Sequence, residues 1–290
     1  MNLYIYAKSS HRDGLENVRR CAALAKELVE FKPTLCTEDY RAASMAKDEL
    51  GVLRTMGIDG VANLRHAMER LDILIYDGAI LDDEVFEQIE DYTSLFLKVK
   101  TSDIPATIVD KEFFTPIKIK RDYGIFFADD DYRNSFYDFC DGSKKHDIEL
   151  LLGHYFFLGN EKRLSESFVN VQESEEYEDF IKSSKYLLCA NVHSALESLA
   201  CGNKPVFFMR KDKDIQNIEL LEQYNIPIVK GDNLDMLIED FYNTIENYPQ
   251  TKKLENFDLS KIKTKIAEIF KQYEHLAPAI DYGLVSSIKE

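Results

Sequence analysis

The stretch Tyr186–Met209, YLLCANVHSALESLACGNKPVFFM, decides the fold reading. Tyr186–Ala190 is a short apolar run of the kind that makes a buried strand, Asn191–Ser194 is a polar turn, and the small residues that follow read as a helix carrying one acid, Glu197. Gly202 and Asn203 stop that helix, and Pro205 leads into a second apolar strand, Val206–Met209. Such a strand–turn–helix–strand unit aims backbone N–H groups and a helix N-terminus above the strand ends, which suits a phosphate. A lone carboxylate just inside the helix can accept hydrogen bonds from the vicinal hydroxyls of a sugar. The same pattern also fits a plain βαβ repeat with Glu197 as a solvated surface acid, and spacing alone does not separate the two.

Outward from this unit, strand and helix patterns alternate along the whole chain, which argues for an α/β protein with mostly parallel sheets. The chain begins with strand Leu3–Ala7, a polar loop Lys8–Gly14 and a helix over about Leu15–Glu30, whose Val18, Cys21, Ala22, Ala25 and Leu28 recur at helical spacing and should face the sheet. Further elements are expected as a strand near Thr34–Thr37, helices over Tyr40–Leu50 and Val61–Arg70, strand Asp72–Tyr76, a helix near Asp83–Tyr92, and strands at Ser94–Val99 and Thr107–Val109. Asp110–Tyr123, with a proline and mixed charges, reads as a linker, and Gly124–Ala128 restarts the alternation. A helix near Tyr132–Cys140, a strand at Ile148–Leu152, a strand at Pro227–Val229 and helices near Leu234–Asn247 and Leu259–His275 complete the pattern. The expected organisation is two Rossmann-like domains, residues 1–120 and 121–275, with a cleft between them, and a tail, 276–290, crossing back onto the first. Ligands of such folds sit at the carboxyl ends of strands, which would gather the Lys8–Gly14 loop, the Ala128–Arg133 loop and the Asn191–Glu197 turn around one cavity.

Bulk properties exclude several classes of partner. With 290 residues and 45% apolar content the chain can build two cores, and no apolar run approaches the ~20 residues of a membrane span. The net charge of −16 argues against nucleic acid and against an anionic membrane surface, though not against a small anion held locally. The acids Glu173, Glu175, Glu176, Glu178 and Asp179 read as a solvated helix face or loop. The five cysteines are scattered with no zinc spacing or disulfide framework, and no basic-then-apolar leader precedes the first strand, so a reducing cytoplasm is expected. No metal site, cofactor, P-loop, GxSxG elbow or HExxH motif is read from the sequence.

With these residues in view, the segment Ser194–Phe208, SALESLACGNKPVFF, resembles the donor-binding turn of the GT-B nucleotide-sugar enzymes. The resemblance implies that Glu197 grips the nucleotide ribose, with Ser194 and the neighbouring N–H groups on phosphate. Gly14–Ala25, GLENVRRCAALA, more narrowly resembles the UDP-sugar hydrolase of the pseudaminic acid pathway. Outside these two segments the likeness is one of fold. The family's Gly-x-Gly-His-x-x-Arg pattern falls on Gly14, Leu15, Glu16, Asn17, Val18, Arg19 and Arg20. Its catalytic His is therefore Asn17, whose amide cannot act as a general base near neutral pH. Relatives carry a glycine-rich turn after the strand at 124–128, where this chain has Ala128-Asp129-Asp130-Asp131. Those carboxylates would repel a diphosphate unless a divalent ion bridged them, or Asp131 caps a helix beginning at Tyr132. The E-x7-E pattern of many retaining members is absent, because Cys189 stands eight before Glu197.

The implied activity is transfer or hydrolysis of a glycosyl bond in a nucleotide sugar, UDP-linked by preference, in surface-glycan biosynthesis. Catalytic candidates are Asn17, Glu16 and Asp77, the last standing directly after strand Asp72–Tyr76. Substrate-binding candidates are His11, Gly14, Arg20, His193, Ser194 and Glu197, with Arg12 and Arg19 as further positive charge and His154 near a strand end. For Arg19 and Arg20 the plainer reading is an exposed helix face paired with Glu16, and for His154 a packed core histidine. The rival reading is a GT-B-like binding or scaffold protein that has lost catalysis and engages a protein partner. A sugar-nucleotide epimerase of similar fold would need a catalytic His or paired acids in the cleft.

Overall fold

The structure, a computed structural model, describes residues 1–155, 161–213 and 215–274. The tail expected at 276–290 lies outside them. By its contacts the chain forms two units: Met1–Lys8 with Leu24–Pro105 and the segment from Phe257, and Ser9–Ala23 with Ala106–Asn256. The helix near the N-terminus thus contributes its first turns to the second unit.

The first unit is built from β1 (Leu3–Ala7), α1 (Glu16–Glu27, shared), β2 (Thr34–Thr37), α2 (Tyr40–Asp48), β3 (Thr55–Gly57), α3 (Leu64–Ala67), β4 (Ile73–Asp77), α4 (Asp83–Tyr92) and β5 (Leu95–Lys98). The strands pair in parallel in the order β3-β2-β1-β4-β5. Every residue of β1 (LYIYA) and β4 (ILIYD) is buried, the near-continuous pattern of parallel strands covered on both faces. The expected inner face of α1, Val18, Cys21, Ala22 and Ala25, is buried, as is Leu28 just beyond it. Asp39 caps α2 by accepting the Ala42 N–H at 2.8 Å.

The second unit comprises β6 (Arg121–Phe126), α5 (Ser135–Cys140), β7 (His146–Leu151), α6 (Glu161–Ser167), β8 (Phe168–Gln172), α7 (Tyr177–Ser183), β9 (Ser184–Cys189), α8 (Val192–Ala200), β10 (Lys204–Phe208), α9 (Glu219–Gln223), β11 (Ile228–Val229) and α10 (Leu234–Glu246). A last helix, α11 (Ser260–Glu274), belongs to the first unit. The second sheet is also parallel, in the order β11-β10-β9-β6-β7-β8. Successive residues of its central strands feed opposite cores. Phe126, Leu187 and Phe207 join one cluster, while Ile125, Leu188 and Val206 join the other, as the two-residue repeat of a strand requires. Gly124 keeps β6 close to α7: a Cβ there would lie 2.6 Å from Ser184 Oγ and 2.8 Å from the Phe180 ring.

The expected α/β class, with two Rossmann-like parallel sheets, therefore holds. Several local expectations do not. The helix expected over Val61–Arg70 shrinks to a 3-10 turn, Val61–Asn63, and one α turn, because Met68 turns extended to enter the core. Thr107–Val109 is not a strand: Ile108 and Val109 are buried, and Val109 packs into the second unit's core. The short β3 and the run α6–β8–α7 were not expected. The acid run lies in a 3-10 turn, Ser174–Glu176, and the first turn of α7.

Candidate functional site

In both sheets the strand order reverses beside the first strand of the unit, and open α/β sheets bind ligands at the carboxyl ends of the strands flanking such a point. In the second unit these strands are β6 and β9, which end level with each other, Phe126 opposite Cys189. Two segments emerge there: the Ala128–Asp131 turn and the Asn191 turn that opens α8.

Asn191 starts α8 as its N-cap, the side-chain oxygen accepting the Ser194 N–H at 3.0 Å. All of Val192–Leu199 is buried, so the helix is not an amphipathic surface helix. Glu197 is only 2% exposed, which corrects the reading of it as a solvated surface acid. The Tyr177 hydroxyl, from α7, forms a short hydrogen bond to Glu197 Oε2 and lies 2.7 Å from Ser194 Oγ. His193 is fully buried. Its Nε2 stands 3.4 Å from Glu197 Oε1 without hydrogen-bond alignment, and neither ring nitrogen has a hydrogen-bond partner among the described residues. Burial, then the Glu197 charge, pushes the Tyr177 hydroxyl well above its usual ionisation range, so it remains a donor.

Arg19, from α1, lies with its guanidinium 3.4 Å above the Tyr177 ring, and its Nη2 donates to both oxygens of Asp129 at 3.0 and 3.1 Å. Burial opposes its charge, but Asp129, Tyr177 and Glu197 outweigh that and hold it protonated. Arg19 and Arg20 are both buried, which corrects the exposed-face reading. Arg20 does pair with Glu16, at 2.8 Å, and also bonds Asn17 Oδ1 at 3.0 Å and the Ala106 carbonyl at 3.1 Å.

The three acids after β6 are turned apart. Asp129 takes Arg19 and the His154 N–H, the latter at 3.0 Å. Asp130 takes Arg210 Nη1 at 2.7 Å and, in a short contact, Lys213 Nζ. Asp131 accepts the Ser135 and Phe136 N–H groups at 2.8 and 2.9 Å, capping α5 three residues later than expected. Burial raises the Asp131 carboxyl despite those bonds. Among the described residues no group of His, Cys, Asp or Glu is placed to hold a metal ion, so the bridging reading of the triplet finds no ligand set. The turn keeps a glycine-like backbone without a glycine. Ala128 has φ +148°, and a Cβ on Gly153 would meet the Ala128 carbonyl oxygen at 2.1 Å.

Most sequence-chosen residues come together in this unit. Gly14 has φ +78°, and a Cβ there would touch that of Asp130 at 3.5 Å, so the first loop does meet the acid turn. His11 is exposed, its ring edge-on to Tyr132 at 4.5 Å, and Arg12 is exposed. His154 is half-buried, with its ring edge-on to Tyr155. Glu16 carries Arg20 and also Asn217, at 3.3 Å. Asp77 belongs to the first unit, where it is buried and 3.2 Å from Lys100. Tyr177, Arg210 and Lys213 escaped the sequence reading. The last two stand in the segment just after β10, so the carboxyl-end rule would have found them, whereas nothing local marks Tyr177. The thiols of Cys36, Cys189 and Cys201 are pushed up to about 12 by burial and are not nucleophiles at neutral pH.

No protein family matches the chain, and no curated protein matches it in sequence. Solved structures do match. UDP-GlcNAc 2-epimerase of Methanocaldococcus jannaschii, in complex with UDP-GlcNAc and UDP, is 10% identical, with 94% of this chain and 100% of that one covered at a TM-score of 0.54. The E. coli heptosyltransferase WaaC, with ADP-2-deoxy-2-fluoro heptose, is 14% identical over 86% and 100% at 0.44. The calicheamicin glycosyltransferase CalG4 is 11% identical over 100% of both chains at 0.48. At these identities the epimerase likeness speaks for the fold alone, the two-Rossmann α/β class already seen in the sheets. No helix among the described residues is long and apolar enough to cross a membrane.

Proposed function

We propose that this chain binds a nucleotide-activated sugar, UDP-linked by preference, at the carboxyl edge of the second sheet, as a glycosyltransferase or a sugar-nucleotide hydrolase of surface-glycan biosynthesis. One observation carries the reading: a buried acid, Glu197, stands on the Asn-capped helix that leaves the reversal point of that sheet, with Arg19, Arg210 and Lys213 beside the same strand ends. A carboxylate there suits a ribose diol, and the cations suit a diphosphate. The UDP ligands named for the epimerase of like fold point the same way. Within this reading Ser194 and His193 line the nucleotide side, while His11, Gly14 and Arg20 belong to the loop and helix facing the sugar. Glu16 is the candidate base within this unit, and Asn17 can only position; Asp77, the other candidate base, belongs to the first unit. The pseudaminic acid pathway hydrolase is the narrowest version of the proposal and rests on Gly14–Ala25 alone.

A second reading has its own support. Glu197 Oε2, Asn17 Oδ1 and Glu16 Oε1 are each engaged by internal partners, as a binding or scaffold protein without catalysis would allow. Calorimetry with UDP, GDP and CMP, then with Glu197→Gln, tests the proposal. Binding of one nucleotide that the variant weakens at least tenfold is expected. No binding of any nucleotide would remove it, and binding without turnover of pooled UDP-sugars would favour the scaffold reading.

A further inference from the structure

The acid turn and the cations around it make sense together as an anion site that the protein fills with its own carboxylate. Arg210 is 3% exposed at the side chain, lies 4.3 Å from the Phe127 ring centroid and is clamped by Asp212 at 2.6 and 3.0 Å, yet points Nη1 at Asp130. Lys213 reaches the other oxygen of the same carboxylate, which is 4% exposed. Asp130 therefore sits between two converging cations as a phosphoryl group would. Asp129 is held differently, by Arg19 Nη2 and the His154 N–H, and Arg19 Nη1 is buried without a hydrogen-bond partner among the described residues. An orphaned buried donor is costly and marks a place where an acceptor belongs. Buried ion pairs seldom add net stability over apolar packing, so stability alone does not explain them.

We infer that Arg210 and Lys213 form a phosphate- or diphosphate-binding site whose resident occupant is the Asp130 carboxylate, so that an incoming anion binds by displacing it. This rests on the proposed nucleotide-sugar reading for its ligand, but not for its chemistry, because inorganic pyrophosphate is a sufficient probe.

The test compares pyrophosphate binding by the full chain and by Asp130→Asn, using calorimetry and thermal shift at fixed ionic strength. The variant is expected to bind at least tenfold more tightly than the wild type, and Lys213→Gln placed on top of it should remove most of that gain. If Asp130→Asn fails to fold, pyrophosphate should restore folding where sodium chloride of equal ionic strength does not. Equal affinity of the two proteins, a gain that survives Lys213→Gln, or an unfolded variant indifferent to pyrophosphate each overturns the inference. UDP tells this result from the parent proposal. If the variant gains for pyrophosphate but UDP binds no better than pyrophosphate, the nucleotide reading fails and the anion site stands. If UDP binds the wild type and Asp130→Asn changes nothing, the reverse holds.

Discussion

The carboxyl edges of the two sheets are built on the same strand order but carry different chemistry. In the first unit the edge is aromatic and acidic. The rings of Tyr6 and Tyr76 stack at 4.9 Å, the Tyr6 hydroxyl donates to Glu38, and Asp77 meets the partly exposed Lys100. In the second unit the edge is a set of buried ion pairs, with Arg19, Arg210 and Lys213 matched against Asp129 and Asp130 and a tyrosine bridging to Glu197. A shared topology thus fixes where a site can lie and leaves its ligand chemistry to the residues at the strand ends. The first edge carries phenol hydroxyls and carboxylates, and the second carries cations matched against carboxylates.

Substitutions can break that contrast. Arg19→Met leaves the buried Asp129 carboxylate without its counter-charge, with only the His154 N–H on it, and should cost ~3–5 kcal/mol of stability by chemical denaturation. Lys100→Met, whose cation is partly solvated, should cost only ~1–3 kcal/mol. Equal losses would mean that the two edges do not differ as described. Next in size, Tyr177→Phe strips the hydroxyl shared by Ser194 and Glu197 and should cost ~1–3 kcal/mol. Tyr76→Phe removes a single bond to the Ala79 carbonyl and should cost ~1 kcal/mol or less.

Alkali sharpens the comparison further. Cys36 in the first unit, and Cys189 and Cys201 in the second, ionise at about 12 when folded against 9.0 ordinarily, because burial disfavours the thiolate. Below pH 9 both states keep their protons and stability is complete. Between pH 9 and 12 only the unfolded chain ionises, so each thiol subtracts ~1.4 kcal/mol per pH unit. Melting curves from pH 8 to 10.5 should therefore fall steadily above pH 9. Replacing both Cys189 and Cys201 with Ala should flatten the fall more than Cys36→Ala does.

The smallest effects come from the turns. Ala128→Gly should stabilise by ~1 kcal/mol by relieving the left-handed φ, read as a rise in melting temperature. Gly78→Ala, after β4, should destabilise, because its Cβ would stand 2.4 Å from the Tyr76 hydroxyl. A loss of stability in Ala128→Gly would show that the turn is not strained.

Part of the site was legible because its signals are local. The apolar runs LYIYA, DILIYD and YLLCA announce buried parallel strands, and the stop at Gly202-Asn203 bounds α8. Asp131 as a cap followed from residue type, although its helix begins later than the pattern suggested. Tyr177 was not legible. It lies twenty residues before Glu197 in an acidic run that reads as surface, and only the packing of α7 against α8 brings the two together. Arg19 looked like half of an exposed basic pair for the same reason: helical spacing gives a face, but not what covers it.

Residue pattern was enough to set the alternation of strands and helices, hence two parallel sheets and a carboxyl edge on each, because hydrophobic period and turn chemistry act over a few residues. Tertiary structure alone decided that Glu197 is buried rather than solvated, that three consecutive aspartates serve three different partners, and which cations answer them. The cation pairings depend on residues 80–110 positions apart meeting at the sheet edge, and the Glu197 contact on a tyrosine twenty positions away. No local pattern encodes such meetings, since burial and charge pairing are properties of the packed fold.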